Sequence, residues 1–186
     1  RVTVDAPARR IVTLAPHLAE LAFAAGAGAH VVGVSSYTDW PEAARALPVM
    51  AANGEVELER LVAAQPDLVL AWTSGVPRQQ VARIERLGIR VVSIEIRRLE
   101  DIALWLRRLG ALAGTSAIAE RAAGQYEREL AALIATHRGR TPVITFYEIW
   151  HDPLMTLSGA HLVSQILGVC GGRNVYADAP VLAPVV

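Results

Sequence analysis

Three aromatic residues stand at or just beyond the ends of short apolar runs. Tyr37 follows Val31-Val32-Gly33-Val34-Ser35 and has Asp39 and Trp40 beside it. Trp72 closes Leu68-Val69-Leu70-Ala71, and Trp150 follows Val143-Ile144-Thr145-Phe146-Tyr147 with His151 next to it. If the runs are strands, these side chains gather at strand ends and supply flat apolar walls suited to a large planar ligand. The competing reading is ordinary packing under loops. His17 sits in Leu14-Ala15-Pro16-His17, the turn between a first strand and a first helix. In an open parallel sheet such a turn lies where ligands bind, so His17 either faces a ligand or caps its helix.

Other chemistry finds less support. The five histidines, His17, His30, His137, His151 and His161, include no pair spaced as two ligands on one helical turn, so local sequence predicts no metal site. Gly26-Ala27-Gly28 lacks the third glycine of a dinucleotide fingerprint, and it follows a helical pattern where that fingerprint needs a strand. No G-x-S-x-G and no G-x-x-x-x-G-K-[ST] run occurs. No paired acid and base stand at useful spacing, and the expectation is that the chain is not an enzyme. The single cysteine, Cys170, precedes Gly171-Gly172 on an apolar helix face and reads as a small buried hydrophobe. Glu55, Glu57 and Glu59 crowd one stretch, and acids at a helix N-terminus are favoured by its dipole.

The chain has 186 residues, with 18 Lys+Arg against 18 Asp+Glu and 53% hydrophobic residues. That is globular composition. Zero formal net charge leaves no general handle for nucleic acid or an anionic membrane, so neither is an expected partner. No apolar stretch is long enough and charge-free enough for a membrane-inserted helix. The chain opens on Arg1-Val2-Thr3-Val4-Asp5 and closes on Pro180-Val181-Leu182-Ala183-Pro184-Val185-Val186. The first reads as a processed start, as after removal of a signal peptide, and the second as a C-terminal truncation.

The elements that must position these residues alternate. Strands are predicted at 10–14, 31–35, 68–72, 91–94 and 143–147. Helices are predicted at 17–25, 57–64, 77–87, 99–112, from Thr115 or Ser116 to about His137, and at 162–169. Continuously apolar strands, each followed by a helix, imply an α/β lobe with a parallel sheet covered on both faces. The helix ending near His137 would span roughly 30–35 Å, which suits a strut between two lobes. The predicted division is 1–113 for an N-terminal α/β lobe, 114–138 for the strut, and 139–186 for a partial C-terminal α/β lobe.

The motifs resemble those of the periplasmic cobalamin- and iron-siderophore-binding proteins. The likeness rests on Arg10-Ile11-Val12-Thr13-Leu14-Ala15-Pro16, on Glu20 to Gly26, and on Val32-Gly33-Val34-Ser35-Ser36-Tyr37-Thr38-Asp39. It continues through Leu58 to Trp72, Leu87-Gly88-Ile89 and Cys170-Gly171-Gly172-Arg173-Asn174-Val175. Ser35-Ser36-Tyr37 and Ala71-Trp72 incline it to the cobalamin-binding branch.

The resemblance implies two Rossmann-like lobes joined by a long backbone helix, the second lobe cut short here. It implies a non-catalytic periplasmic protein that captures a corrinoid such as cobalamin in an inter-lobe cleft and delivers it to an inner-membrane ABC permease. A haem or ferric-siderophore binder is the alternative, with Tyr37, His17 or His151 as iron ligand. An α/β enzyme and a ligand-free interaction fragment belong to other classes. No cofactor is expected beyond the transported ligand. Pro16, His17, Tyr37, Trp72, Trp150 and Met155 are the expected ligand contacts, and Glu59 matches an acid that docks on permease arginines. Two positions depart from the pattern: Met50-Ala51-Ala52-Asn53 and Leu154-Met155-Thr156 stand where family members place an aromatic. An incomplete parallel sheet leaves an open edge, so self-association of two chains is a further expectation.

Overall fold

The computed structural model describes residues 6–186. Arg1-Val2-Thr3-Val4-Asp5, read above as a processed start, lies outside the described residues. The chain divides into two compact units. The first holds the described residues up to Glu95 together with Leu104–Ala123, and the second holds Ile96–Ala103 and Gly124–Val186.

The first unit is built on a six-stranded sheet in the order β4-β3-β2-β1-β5-β6. The strands are β1 (Ile11–Thr13), β2 (Val31–Ser35), β3 (Val49–Ala52), β4 (Glu55–Val56), β5 (Leu68–Trp72) and β6 (Val91–Ile94). All neighbours run parallel except β3 and β4. Leu68, Val69, Leu70 and Ala71 of β5 are fully buried, as are Ile11 and Val12 of β1 beside them or nearly so. Strands this apolar on both faces need cover on both sides. Helices α1 (Pro16–Ala24), α2 (Leu58–Ala63) and α3 (Arg78–Arg86) follow β1, β4 and β5. Leu18, Ala19, Leu21 and Ala22 are the buried face of α1, Leu61 that of α2 and Ile84 that of α3.

Local chemistry fixes the ends of these elements. Pro16 starts α1, where its missing N–H costs nothing. The helix ends with Gly26 at φ +83°, while the Ala27 N–H donates to the Ala22 carbonyl at 2.8 Å and the Gly26 N–H to Phe23 at 2.9 Å. That glycine-closed loop satisfies two terminal carbonyls. Asp67 accepts from the backbone N–H groups of Arg9 and Arg10 at 2.7 and 3.1 Å, and the Arg10 guanidinium donates to the Ala64 and Gln65 carbonyls just past α2, with Nη2 2.6 Å from Ala64 O. These contacts clamp the start of β1 to the end of α2.

The β3–β4 hairpin was not among the predicted elements. Ala52 pairs with Glu55 across the two-residue loop Asn53-Gly54, both at positive φ (51° and 81°), the geometry for which Asn-Gly is selected. Its strands are short, and β3 ends in two alanines, so they carry little β signal of their own.

Helix α4 (Leu99–Ala113) and the 22-residue α5 (Ser116–His137) each contribute residues to both units. At the start of α4, Asp101 reaches back to the N–H groups of Arg97 and Arg98 at 3.0 and 2.9 Å. Thr115 caps α5 through its backbone carbonyl, which accepts from Ile118 and Ala119, while its hydroxyl donates to Ala25 O at 2.7 Å. The second unit adds β7 (Val143–Thr145), α6 (Leu162–Val169) and β8 (Gly172–Asn174), with β7 and β8 a parallel pair. Phe146 and Tyr147, read above as the end of a strand, lie beyond β7. Helix α6 buries none of its residues. Cys170, expected to be buried, is exposed because it ends that helix at the C-cap.

Candidate functional site

The parallel strands of the first unit all end on one edge of the sheet, and the chemistry-bearing residues follow those ends. Pro16 and His17 open α1 just after β1, Tyr37 comes two residues after β2, Trp72 is the last residue of β5, and Glu95 is the first after β6. This edge is where ligands bind in open α/β sheets.

Two of the expected contacts meet. The rings of His17 and Trp72 lie edge to face, with centroids 5.4 Å apart and planes at 89°. Glu95 fixes the tryptophan: the indole N–H donates to Oε1 at 3.2 Å, and the Ser74 hydroxyl donates to Oε2. Glu95 and Ser74 are site residues that sequence reasoning missed. The available signal was position, since Glu95 is the first charged residue beyond the carboxyl end of an apolar strand. Burial lowers the pKa of His17, and the nearby Glu95 carboxylate opposes that shift without cancelling it. The imidazole is therefore neutral near pH 7 and faces Trp72 without the cost of a buried charge. The tryptophan stays partly exposed, so one indole surface is fixed in orientation yet available.

Tyr37 stands apart. It is 81% exposed, sits at φ +63° and makes no ring contact or hydrogen bond among the described residues. A non-glycine residue in the left-handed region is uncommon, and this one projects a phenol from the sheet edge with no packing role. Trp40 is exposed as well.

In the second unit, Trp150 and Met155 are brought side by side. They form an antiparallel bridge in which the Met155 N–H donates to Trp150 O at 2.9 Å. The exposed indole of Trp150 donates to Asp152 O at 2.9 Å, and His151 lies 3.2 Å from Glu148 Oε1. Phe146 and Tyr176 pair edge to face at 5.9 Å, a contact the sequence reading did not anticipate.

Glu59 lies in the first turn of α2, exposed and without an ion pair among the described residues, while its neighbours Glu57 and Arg60 pair at 2.8 Å. Among the described residues, no three His, Cys, Asp or Glu side chains cluster as a metal site, and no helix is long and apolar enough to cross a membrane.

The sequence pattern of the periplasmic binding protein family matches residues 11–181. The chain belongs to that family. Among relatives of the chain, the vitamin B12-binding protein of Pectobacterium carotovorum subsp. carotovorum (strain PC1) is 36% identical over 178 residues, which are 95% of this chain and 64% of that protein. The chain thus spans somewhat less than two thirds of that relative's length, 64%. The crystal structure of the periplasmic vitamin B12 binding protein BtuF of Vibrio cholerae superposes with a TM-score of 0.88 at 33% identity, over 97% of this chain and 71% of that one. The periplasmic heme-binding protein RhuT from Roseiflexus sp. RS-1, in apo form, superposes with a TM-score of 0.78 at 26% identity, covering 96% and 70%. The α/β architecture read from the sequence is that of these structures.

Proposed function

We propose that the chain acts in the periplasm as a non-catalytic solute-binding protein for a corrinoid, which it passes to an ABC permease of the inner membrane. The observation that carries this reading is Trp72, fixed by His17 and Glu95 at the ligand-binding edge of the sheet, in a chain 36% identical to a vitamin B12-binding protein. A large ring system stacks on such an indole, and the neutral His17 lets it do so in an apolar setting. Pro16 and Tyr37 extend the same edge, and Trp150 and Met155 give the second unit an apolar surface of its own for this class of ligand. Glu59, exposed and unpaired, is proposed as the docking acid for cationic residues of the permease, where charge sets orientation and on-rate more than affinity. The lobe division 1–113, 114–138 and 139–186 is part of the proposal. So is self-association, which the exposed Val143, Ile144, Val181 and Leu182 of the second unit support.

The second reading is haem binding. The likeness to RhuT favours it, as does an exposed Tyr37 free to ligate iron.

Calorimetric titration with cyanocobalamin and, separately, with hemin distinguishes the two. Micromolar or tighter cyanocobalamin binding, weakened about tenfold in Trp72→Ala, is the expected result, a loss of ~1.4 kcal/mol. Hemin binding alone, with a new Soret band lost in Tyr37→Phe, would move the assignment to haem.

A further inference from the structure

Trp72 is held by more than His17 and Glu95. After β5 the chain turns back on the indole through Thr73-Ser74-Gly75-Val76. The N–H groups of Gly75 and Val76 both donate to the Trp72 carbonyl, at 3.1 and 2.9 Å. A Cβ placed on Gly75 would overlap the six-membered ring of the indole at Cε3, Cζ3 and Cδ2. The ring therefore lies directly against the Gly75 backbone. Gly75 is not among the described glycines at positive φ, so its φ alone does not demand glycine. The tryptophan is what excludes a side chain there.

The turn has little freedom to withdraw. The Thr73 N–H and hydroxyl both donate to Ile94 O, at 3.0 and 3.1 Å, and the Ser74 hydroxyl donates to Glu95 Oε2. Val76 is buried. The β3–β4 hairpin backs the turn, since a Cβ on Gly54 would stand 3.4 Å from the Gly75 carbonyl oxygen. If position 75 carried a methyl group, the indole, 38% exposed, is the part that would move. That movement breaks the indole N–H bond to Glu95 and the edge-to-face contact with His17. Conversely, a side chain already fixed in one rotamer has no ordering cost left to meet when a ligand arrives.

Resting on the corrinoid reading, we propose that Gly75 is a positioning residue for the ligand. Its missing side chain lets the 73–76 turn close on the indole, and this fixes the face of Trp72 that the ring system meets. Gly75 acts through Trp72 and not by contact with the ligand.

Near-ultraviolet circular dichroism and calorimetric titration with cyanocobalamin test this on wild type, Gly75→Ala, Trp72→Ala and the double variant. The difference between wild type and Trp72→Ala is the band of a fixed indole. Gly75→Ala should lose that band, keep the far-ultraviolet spectrum of the folded chain, and bind cyanocobalamin about tenfold more weakly. In the double variant the added methyl group occupies space the indole has left, so binding should be no weaker than in Trp72→Ala. If Gly75→Ala alone does not fold, the double variant decides: a fold recovered once the indole is gone supports the steric link, and a fold still lost overturns it. A Gly75→Ala chain that keeps the band, or an equal loss of affinity in both backgrounds, overturns the proposal. If wild type does not bind cyanocobalamin, the corrinoid reading falls, and the band alone then decides whether Gly75 positions the indole.

Discussion

Strands β5 and β7 are both short aliphatic runs, and they meet opposite surroundings. Leu68 to Ala71 of β5 are fully buried, whereas in β7 Val143 is 68% exposed and Ile144 55%. The difference lies in their neighbours. β5 has β1 on one side and β6 on the other, while β7 pairs only with β8 among the described residues. Hydropathy is a property of the segment, but burial is a property of the layers around it. The buried sets of the two units differ accordingly. The first unit buries a mainly aliphatic core, and the second buries Thr156, Ser158 and Asn174 alongside Leu157 and Ala103.

The largest test of that contrast is a pair of truncations. Leu70→Ala removes a fully buried side chain and should cost about 2–5 kcal/mol, whereas Ile144→Ala, half exposed, should cost less than about 1 kcal/mol. Urea unfolding of the two variants gives both values. Equal losses would mean that Ile144 is covered in solution, as the proposed self-association would bring about, and sedimentation of wild type at rising concentration would show whether it is.

A smaller effect probes the polar side of the comparison. The Asn174 side-chain amide donates to Leu157 O at 2.7 Å and to Ser164 Oγ at 2.8 Å, while its oxygen accepts from the Tyr176 N–H at 2.9 Å. Asn174→Ala removes three hydrogen bonds made by a buried side chain and should destabilise by about 1–3 kcal/mol. Hydrogen exchange should place the loosening in α6 and β8, leaving the protection of β1 and β5 unchanged.

The same contrast explains what could be read from sequence. Every element with its own strong pattern was legible: the apolar run of β5, the proline-started α1 closed by Gly26, and the long α5. What depended on partners was not. The β3–β4 hairpin is announced only by Asn53-Gly54, since Val49–Ala52 lacks a β-branched run, and β8 (Gly172–Asn174) has a glycine, an arginine and an asparagine. At the candidate site, Trp72 and His17 were visible from residue type and strand-end position, but their contact was not, because it depends on β1 and β5 being neighbours in the sheet. Glu95 and Ser74 were missed for the same reason. Each is an ordinary polar residue in sequence, and only tertiary placement gives it a role. Cys170 was misread because an apolar helix was assumed to have a core to face.

Each unit contains one histidine whose pKa burial lowers from 6.5: His17 in the first, where Glu95 partly opposes the shift, and His161 in the second. A histidine depressed in the folded state stabilises fully above 6.5, and that contribution is lost as pH falls through 6.5 toward the lower folded value. Stability should therefore fall between about pH 7.5 and about pH 5. His161 also caps α6, its Nδ1 accepting from the Val163 N–H at 3.1 Å, and protonation removes that acceptor. His161→Asn keeps a capping oxygen without the titration and should flatten the acid loss seen in the exchange of α6. His17→Gln should flatten it in β1 and β5. Melting curves at the two pH values report the sum, and an undiminished slope in the double variant would assign the acid sensitivity elsewhere.

The smallest expected difference separates two ion pairs. In the first unit, the Arg107 guanidinium donates twice to Glu120, from Nε and Nη2, each at 2.9 Å. In the second, Arg98 Nε meets Glu100 at 3.2 Å with both side chains largely in water. A two-point guanidinium–carboxylate contact fixes geometry and is the stronger kind, yet exposed pairs are worth only about 0.2–1 kcal/mol and are screened by salt. Glu120→Gln should fall within that range at low salt and shrink at high salt. Glu100→Gln should be near zero under both conditions. The pairing geometry, which brings α4 and α5 together in one case and joins residues two apart in the other, is what the comparison of the two salt dependences would measure.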